Sequence, residues 1–208
     1  GGSGRQPGSS FKTFTLVAAI EQGIDPNTMI DASATAKLPG WEVANINHTN
    51  YGTKSIADAF AVSSNTAFAR LILSIGPDKV VDVAKRMGIT SPLTATGSLT
   101  LGSESVTPLE MANAYATIAN GGTHYDPECV ERIVDRNGSI VVDNSAPKGE
   151  RAISAEVAHA ATEVMKGVIT KGTGKAAALS NGQVSAGKTG TSENYMDSWF
   201  CGITPQLS

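Results

Sequence analysis

The sequence predicts an α+β domain, in which a block of helices is followed by a strand pair, one more helix and a second strand pair. Three observations carry that prediction. Apolar residues recur at helical spacing through much of the first half, with Gly or Pro at the expected ends. An Asn137-Gly138 pair between two β-rich runs marks a hairpin. The chain has 208 residues, 40% of them hydrophobic, enough for one domain with a real core.

Taken in order, residues 1–4 (GGSG) read as a linker, a scar or the end of a Gly-rich loop, and residues 5–208 as the domain proper. Residues 9–22 form a helix with Phe11, Phe14, Leu16, Val17 and Ile20 spread around it, so it is expected to be buried. Residues 24–51, with Pro26, Pro39, Gly40 and several Asn, read as a long loop with room for short extended pieces. Thr53 is placed as the cap of a helix reaching Val62, and Ser64 as the cap of the next, which ends at Gly76. A third helix spans 78–87. After a Ser/Thr/Gly-rich loop over 90–105, Thr107-Pro108 with Glu110 gives a capping-box start to a helix running to Ala119. This first part, 5–122, is followed by a second, 123–208. There, strand-like runs at 130–135 and 139–142 flank the Asn-Gly turn, a helix capped by Ser154 runs to Thr170, and runs at 183–192 and 198–204 pair through a turn around Asn194.

Composition removes several function classes. The formal net charge is −3 and charged residues are 17%, which gives no support for a nucleic-acid binder and lacks the high charge of a disordered chain. No apolar run approaches the ~18 residues of a membrane span. Cys129 and Cys201 have no partner at ligand spacing, so they read as two small buried or half-buried residues, and no metal site is expected.

Three short motifs carry chemistry. In Ser9-Ser10-Phe11-Lys12, the Ser9 hydroxyl and Lys12 amine are one helical turn apart and can meet. A helix start also stabilises a developing alkoxide. Lysine can serve as the base that activates the serine when burial and a second cation keep it neutral. Ser63-Ser64-Asn65 offers a hydroxyl for proton relay and an amide to hold Lys12. Lys188-Thr189-Gly190-Thr191 lies on a strand whose Gly190 permits a ligand to approach the backbone. Each motif alone also fits a cap or an ordinary strand. Their order, with Ser9, Ser63 and Lys188 spaced by 54 and 125 residues, is far more specific.

On these motifs the chain resembles the transpeptidase domain of penicillin-binding proteins, and further segments extend the resemblance over Arg5 to Gln206. Arg5-Gln6-Pro7-Gly8-Ser9-Ser10-Phe11-Lys12 is similar to the nucleophile segment of the bifunctional, class A members. Leu101-Gly102 through Val106-Thr107-Pro108-Leu109-Glu110 to Asn120-Gly121-Gly122 continues it, as do Gly187 to Ser192 and Asp197-Ser198-Trp199-Phe200.

The resemblance implies a serine acyl-transfer fold and a penicillin-sensitive D,D-transpeptidase that cross-links peptidoglycan stem peptides ending in D-Ala-D-Ala. Ser9 would be the nucleophile, Lys12 the base, Ser63 the relay, Asn65 the holder of Lys12 and the donor amide, and Lys188 the second cation. Thr189, Gly190 and Thr191 would bind substrate, Thr189 and Thr191 holding its terminal carboxylate or the β-lactam equivalent, with the Ser9 and Thr191 N–H groups as oxyanion hole. β-Lactams are the other expected ligands; no cofactor and no nucleic acid are implied. The expected location is the extracytoplasmic face of a bacterial membrane, with the anchor outside this chain.

The family's sheet has five strands, of which this chain supplies the late pair. A fragment is therefore expected, with two or three strands around Lys188, either completed by a second chain or segment or left loose, and with slow acylation if incomplete. The alternatives are a serine β-lactamase, for which no Glu-x-x-Leu-Asn setting is found, a β-lactam sensor module, and an inactive fragment.

Overall fold

The computed structural model describes residues 3–192 and 196–208; the turn expected around Asn194 lies outside the described residues. The first helix is built as expected but starts later. Gly8–Phe11 is a 3-10 turn, and α1 runs Lys12–Glu21. Gly8 sits at φ +56°, and the Ser10 N–H closes onto the Pro7 carbonyl at 3.3 Å, an i→i+3 bond that tightens the chain before the α pattern sets in. Phe14, Leu16 and Val17 are fully buried, so α1 is the central helix of the core.

The long loop expected at 24–51 is instead organised by short strands: β1 (Met29–Asp31), β2 (Thr35–Leu38) and β3 (Trp41–Ala44), with β4 (Thr53–Ser55) just beyond. β1 pairs with β4 and β2 with β3, all antiparallel. Strands this short cannot display an alternating pattern, and β1 finds its partner far along the chain. The helix expected from Thr53 is displaced for the same reason. Thr53 is taken by β4, and Ser55 caps α2 (Ile56–Ala61) by accepting from the Asp58 N–H at 3.1 Å.

The rest of the helical block follows expectation. Ser64 caps α3 (Asn65–Ile75), which stops at Gly76 before α4 (Pro77–Arg86). The 90–105 loop carries a 3-10 turn, Gly97–Leu101, and Thr107 opens α5 (Pro108–Ala119) with the capping box. β5 (Thr123–His124) pairs with β8 (Glu150–Arg151) around the predicted hairpin of β6 (Arg132–Val134) and β7 (Ile140–Asp143). α6 (Ala155–Thr170), capped by Ser154, covers α1 and α2. β9 (Ala186–Thr191) and β10 (Ser198–Ile203) form a two-stranded antiparallel ladder, the late pair expected, although β9 begins at Ala186 rather than Gln183. β9 rests on α6 and on the Gly8–Phe11 turn, which brings the third motif to the first. Cys201 is buried in β10, whereas Cys129 is exposed, because it leads into a hairpin that has no core to receive it.

One carboxylate fastens the loop between α4 and α5. Glu110 accepts from the N–H groups of Thr107, Thr90 and Ser91 and from the Thr90 and Ser91 hydroxyls, at 2.6–2.9 Å. Burial disfavours its charge, but these donors outweigh burial and lower its pKa from 4.5 to about 2. A carboxylate whose folded pKa is depressed contributes stability above its unfolded pKa and loses it as pH falls through the folded value. Glu110→Gln is expected to cost about 2 kcal/mol at neutral pH. Urea unfolding should show the gap to the parent closing as pH falls from 4.5 to about 2; an undiminished gap would refute the assignment.

Candidate active site

The three motifs meet at Ser9. The 3-10 turn delivers Ser9, and Lys12, the first residue of α1, lies one turn on with its Nζ 2.9 Å from Ser9 Oγ. Lys12 Nζ also lies 2.8 Å from the Ser63 carbonyl, 3.2 Å from Ser63 Oγ and 2.8 Å from Asn65 Oδ1. Lys188 Nζ, from β9, donates to Ser63 Oγ at 2.9 Å and to the Thr189 carbonyl at 3.0 Å. Ser63 Oγ therefore stands between the two amines. Lys12, Ser63, Asn65 and Lys188, the four residues expected to gather around Ser9, do so.

The surroundings tune the lysines. Both are fully buried. Burial first, and the Lys188 charge second, hold the Lys12 pKa well below the ordinary lysine range. Burial lowers that of Lys188 to about 7. Beneath them lie two phenylalanine rings with centroids 5.6 Å apart, Phe68 at 6.0 Å from Lys12 Nζ and Phe60 at 5.4 Å from Lys188 Nζ. Their faces offset part of the cost of a buried cation.

Ser63 has φ +60°, a left-handed conformation that a serine adopts only when its surroundings hold it there. The holder is Asn45, a residue that sequence reasoning missed. Its buried amide accepts from Ser64 Oγ at 3.0 Å and from the Thr66 N–H at 3.1 Å, and donates to the carbonyls of Ala32, Ser33 and Thr49. It thereby ties the β1–β4 region to the α2–α3 turn. The neighbouring Ala44 carbonyl accepts from Asn65 Nδ2 at 3.0 Å, leaving one amide N–H of Asn65 uncommitted. An Asn in an Asn-rich stretch carries no sequence signal for this role; only the tertiary pairing creates it.

Gly190 does not serve as expected. Its missing side chain admits the protein's own backbone, not a ligand: a Cβ there would overlap the Pro7 carbonyl oxygen and lie 3.1 Å from the Ser10 nitrogen. Thr189 and Thr191 do reach the cleft. Ser192 N–H bonds to the Asp197 carbonyl at 3.0 Å, and antiparallel pairs alternate, so the Thr191–Ser198 pair is a non-bonded one. Thr191 N–H and C=O, and by the same alternation those of Thr189, point away from β10 toward the cleft edge.

Ser9, Ile46 and Thr191 form the waist of the cleft. On one side a cavity of about 370 Å³ is lined also by Tyr51, Val62, Ser63, Thr173 and Thr189. On the other, a cavity of about 540 Å³ is lined by Trp41, Glu42, Asn65 and Leu101 among others. Among the described residues, no group of His, Cys, Asp and Glu stands where it could hold a metal ion.

A helical block set against an antiparallel ladder, with a Ser-x-x-Lys turn, a Ser-x-Asn turn and a Lys-Thr-Gly strand meeting in one cleft, defines the transpeptidase class of α+β fold. The family model for the penicillin binding protein transpeptidase domain matches residues 3–208. The chain belongs to the penicillin-binding protein transpeptidase family. It is 35% identical over 230 residues to penicillin-binding protein 1A of Rickettsia typhi, covering 98% of this chain and 29% of that protein. Against penicillin-binding protein 1A of Mycobacterium tuberculosis the identity is 34% over 229 residues, covering 99% and 28%. The chain thus spans under a third of these relatives' length. Among solved structures, PonA1 from Mycobacterium tuberculosis in complex with penicillin V superposes with a TM-score of 0.87 at 33% identity, covering 98% of this chain and 58% of that one. The imipenem acyl-enzyme complex of penicillin-binding protein A from M. tuberculosis superposes with a TM-score of 0.86 at 29% identity, covering 97% and 52%.

Proposed function

We propose that this chain carries the acyl-transfer site of a penicillin-sensitive D,D-transpeptidase, with Ser9 as nucleophile. The carrying observation is the 2.9 Å approach of the buried, pKa-lowered Lys12 amine to Ser9 Oγ. Neutral Lys12 takes the Ser9 proton as Oγ attacks the carbonyl of the penultimate D-Ala. The oxyanion is received by the Ser9 and Thr191 N–H groups. Ser10 N–H is the one that closes onto the Pro7 carbonyl, which leaves Ser9 N–H at the unsatisfied start of the turn, and that of Thr191 faces the cleft by the ladder's alternation.

Collapse of the tetrahedral species breaks the C–N bond. The departing amine of the terminal D-Ala takes its proton from Ser63 Oγ, which Lys12 at 3.2 Å and Lys188 at 2.9 Å can recharge. A stem-peptide amine then attacks the Ser9 ester, forming the new amide and freeing Ser9. β-Lactams enter by the same first step, their ring amide standing for the scissile bond. Asn65 keeps Lys12 in place and offers its remaining N–H to the acyl side.

Such a site belongs on the extracytoplasmic face of a bacterial membrane. The glutamates between Asn65 and Lys188, namely Glu104, Glu110, Glu128, Glu131, Glu150, Glu156 and Glu163, stand in no Glu-x-x-Leu-Asn setting and line neither half of the cleft, which weighs against a β-lactamase. Intact-mass measurement after penicillin exposure should show one adduct, mapped to the peptide holding Ser9. An adduct on Ser10 or Ser63, or none, would overturn this reading.

A further inference from the structure

Among the described residues, three besides glycine have a left-handed backbone: Asn47 at φ +54°, His48 at φ +50° and Ser63 at φ +60°. Ser63 belongs to the catalytic group. The other two directly follow Ile46, and two such residues in succession need a restraint. Asn45 and Thr49 supply it. The buried Asn45 accepts at its carbonyl from the His48 N–H at 2.9 Å, and its Nδ2 donates to the Thr49 carbonyl at 2.9 Å. The Ile46 carbonyl accepts from the Thr49 N–H at 3.2 Å and from Thr49 Oγ1 at 3.0 Å. This turn does not tuck Ile46 into the core. It leaves the residue 52% exposed, at the waist of the cleft with Ser9 and Thr191.

An acyl group on Ser9 has its ester oxygen and its carbonyl at this waist, between Ser9 Oγ and the Thr191 N–H. Ile46, the third member, has no proton to give or take and no part in the mechanism above. What a branched apolar side chain offers there is cover. The Ser9 ester can be lost in two ways. An amine attack forms an amide and frees Ser9. A water attack forms a C–O bond to the acyl carbon, breaks the bond to Ser9 Oγ, passes one water proton to that oxygen and releases a free acid. A water is held in place by several polar partners, and isoleucine supplies none. An acceptor peptide is carried in by its own contacts along the cleft, so cover penalises water more than the amine.

We propose that Ile46 is a specificity-determining residue that covers the acyl group on Ser9 and disfavours water as acceptor, so that the ester survives until an amine arrives. This rests on the acyl-transfer reading, which supplies the ester.

The test acylates the intact chain with penicillin V, removes the excess and follows loss of the adduct by intact mass. Ile46→Ala, a truncation of an exposed side chain that opens no core cavity, is expected to lose the adduct about tenfold faster than the parent. Ile46→Val and Ile46→Thr have the same shape and differ by a hydroxyl. The threonine variant should lose the adduct about threefold faster than the valine variant, because its hydroxyl gives a water a partner, whereas a merely structural role would treat the two alike. Equilibrium binding of penicillin V is measured in a Ser9→Ala background, where Ile46→Ala should weaken it about tenfold by removing an apolar contact. Failure of the parent to acylate, with binding still weakened by Ile46→Ala, would sink the acyl-transfer reading alone. Adduct loss no faster in Ile46→Ala, equal rates for valine and threonine, or binding indifferent to Ile46 would each overturn the role of Ile46.

Discussion

Replacing Lys12 by methionine is expected to slow penicillin acylation of Ser9 about 10³-fold while the chain still folds. Methionine fills the space of the lysine stem without a branch, and the fully buried site favours an apolar side chain. What it removes is the amine 2.9 Å from Ser9 Oγ and the bonds to the Ser63 carbonyl and Asn65 Oδ1. Without a base, the serine must ionise against its own high pKa. Stability should change little, because removing a buried polar amine offsets the acceptors left unpaired.

The pH profile gives a second readout of the same substitution. In the parent, acylation should rise with pH as Lys12 loses its proton, at a pKa that burial and Lys188 have lowered. It should fall above about 7, where Lys188 loses its own charge. The rising limb belongs to Lys12 and should vanish in Lys12→Met. Stopped-flow acylation across pH would contradict the assignment if the variant stayed within tenfold of the parent or kept the rising limb.

Much of this site could be read from the sequence because its elements are local. Ser9 and Lys12 meet through a single turn, and Ser64, Thr107 and Ser154 cap helices through contacts a few residues away. The Asn-Gly turn likewise fixes its hairpin by its own backbone needs. What stayed hidden depends on distant partners. Asn45 matters because Ser64 and Thr66 come to it from the cap and first turn of α3. Thr53 looked like a cap until β1 claimed it as a strand partner. The left-handed Ser63 is legible nowhere in its residue type, since glycine is the usual choice there and the restraint comes from the neighbouring turn.

Gly190→Ala is expected to cost about 10²-fold in acylation although no motif hydroxyl or amine is touched, because a misplacement of about 1 Å has that effect on an aligned site. The added methyl would overlap the Pro7 carbonyl oxygen and press on Ser10 at 3.0 Å from its hydroxyl and 3.1 Å from its nitrogen. Neither neighbour can yield easily. Pro7 has a fixed φ, and its carbonyl already accepts from Ser10 Oγ at 2.6 Å and from the Ser10 N–H at 3.3 Å. Ser10 is in turn held by Tyr115, whose hydroxyl donates to the Ser10 carbonyl at 2.8 Å. The strain must therefore move β9 away from the serine turn, taking with it Lys188, Thr189 and the Thr191 N–H. Since Lys12 stays beside Ser9 on its own helix, the base is kept while the second cation and one oxyanion donor are withdrawn. The variant should thus retain the rising limb of the pH profile that Lys12→Met loses, at a lower rate and moved to higher pH, because the Lys188 charge that helps to lower the Lys12 pKa is withdrawn. Acylation within a few-fold of the parent, or loss of that limb, would mean that β9 is not held against the nucleophile by the close approach at Gly190.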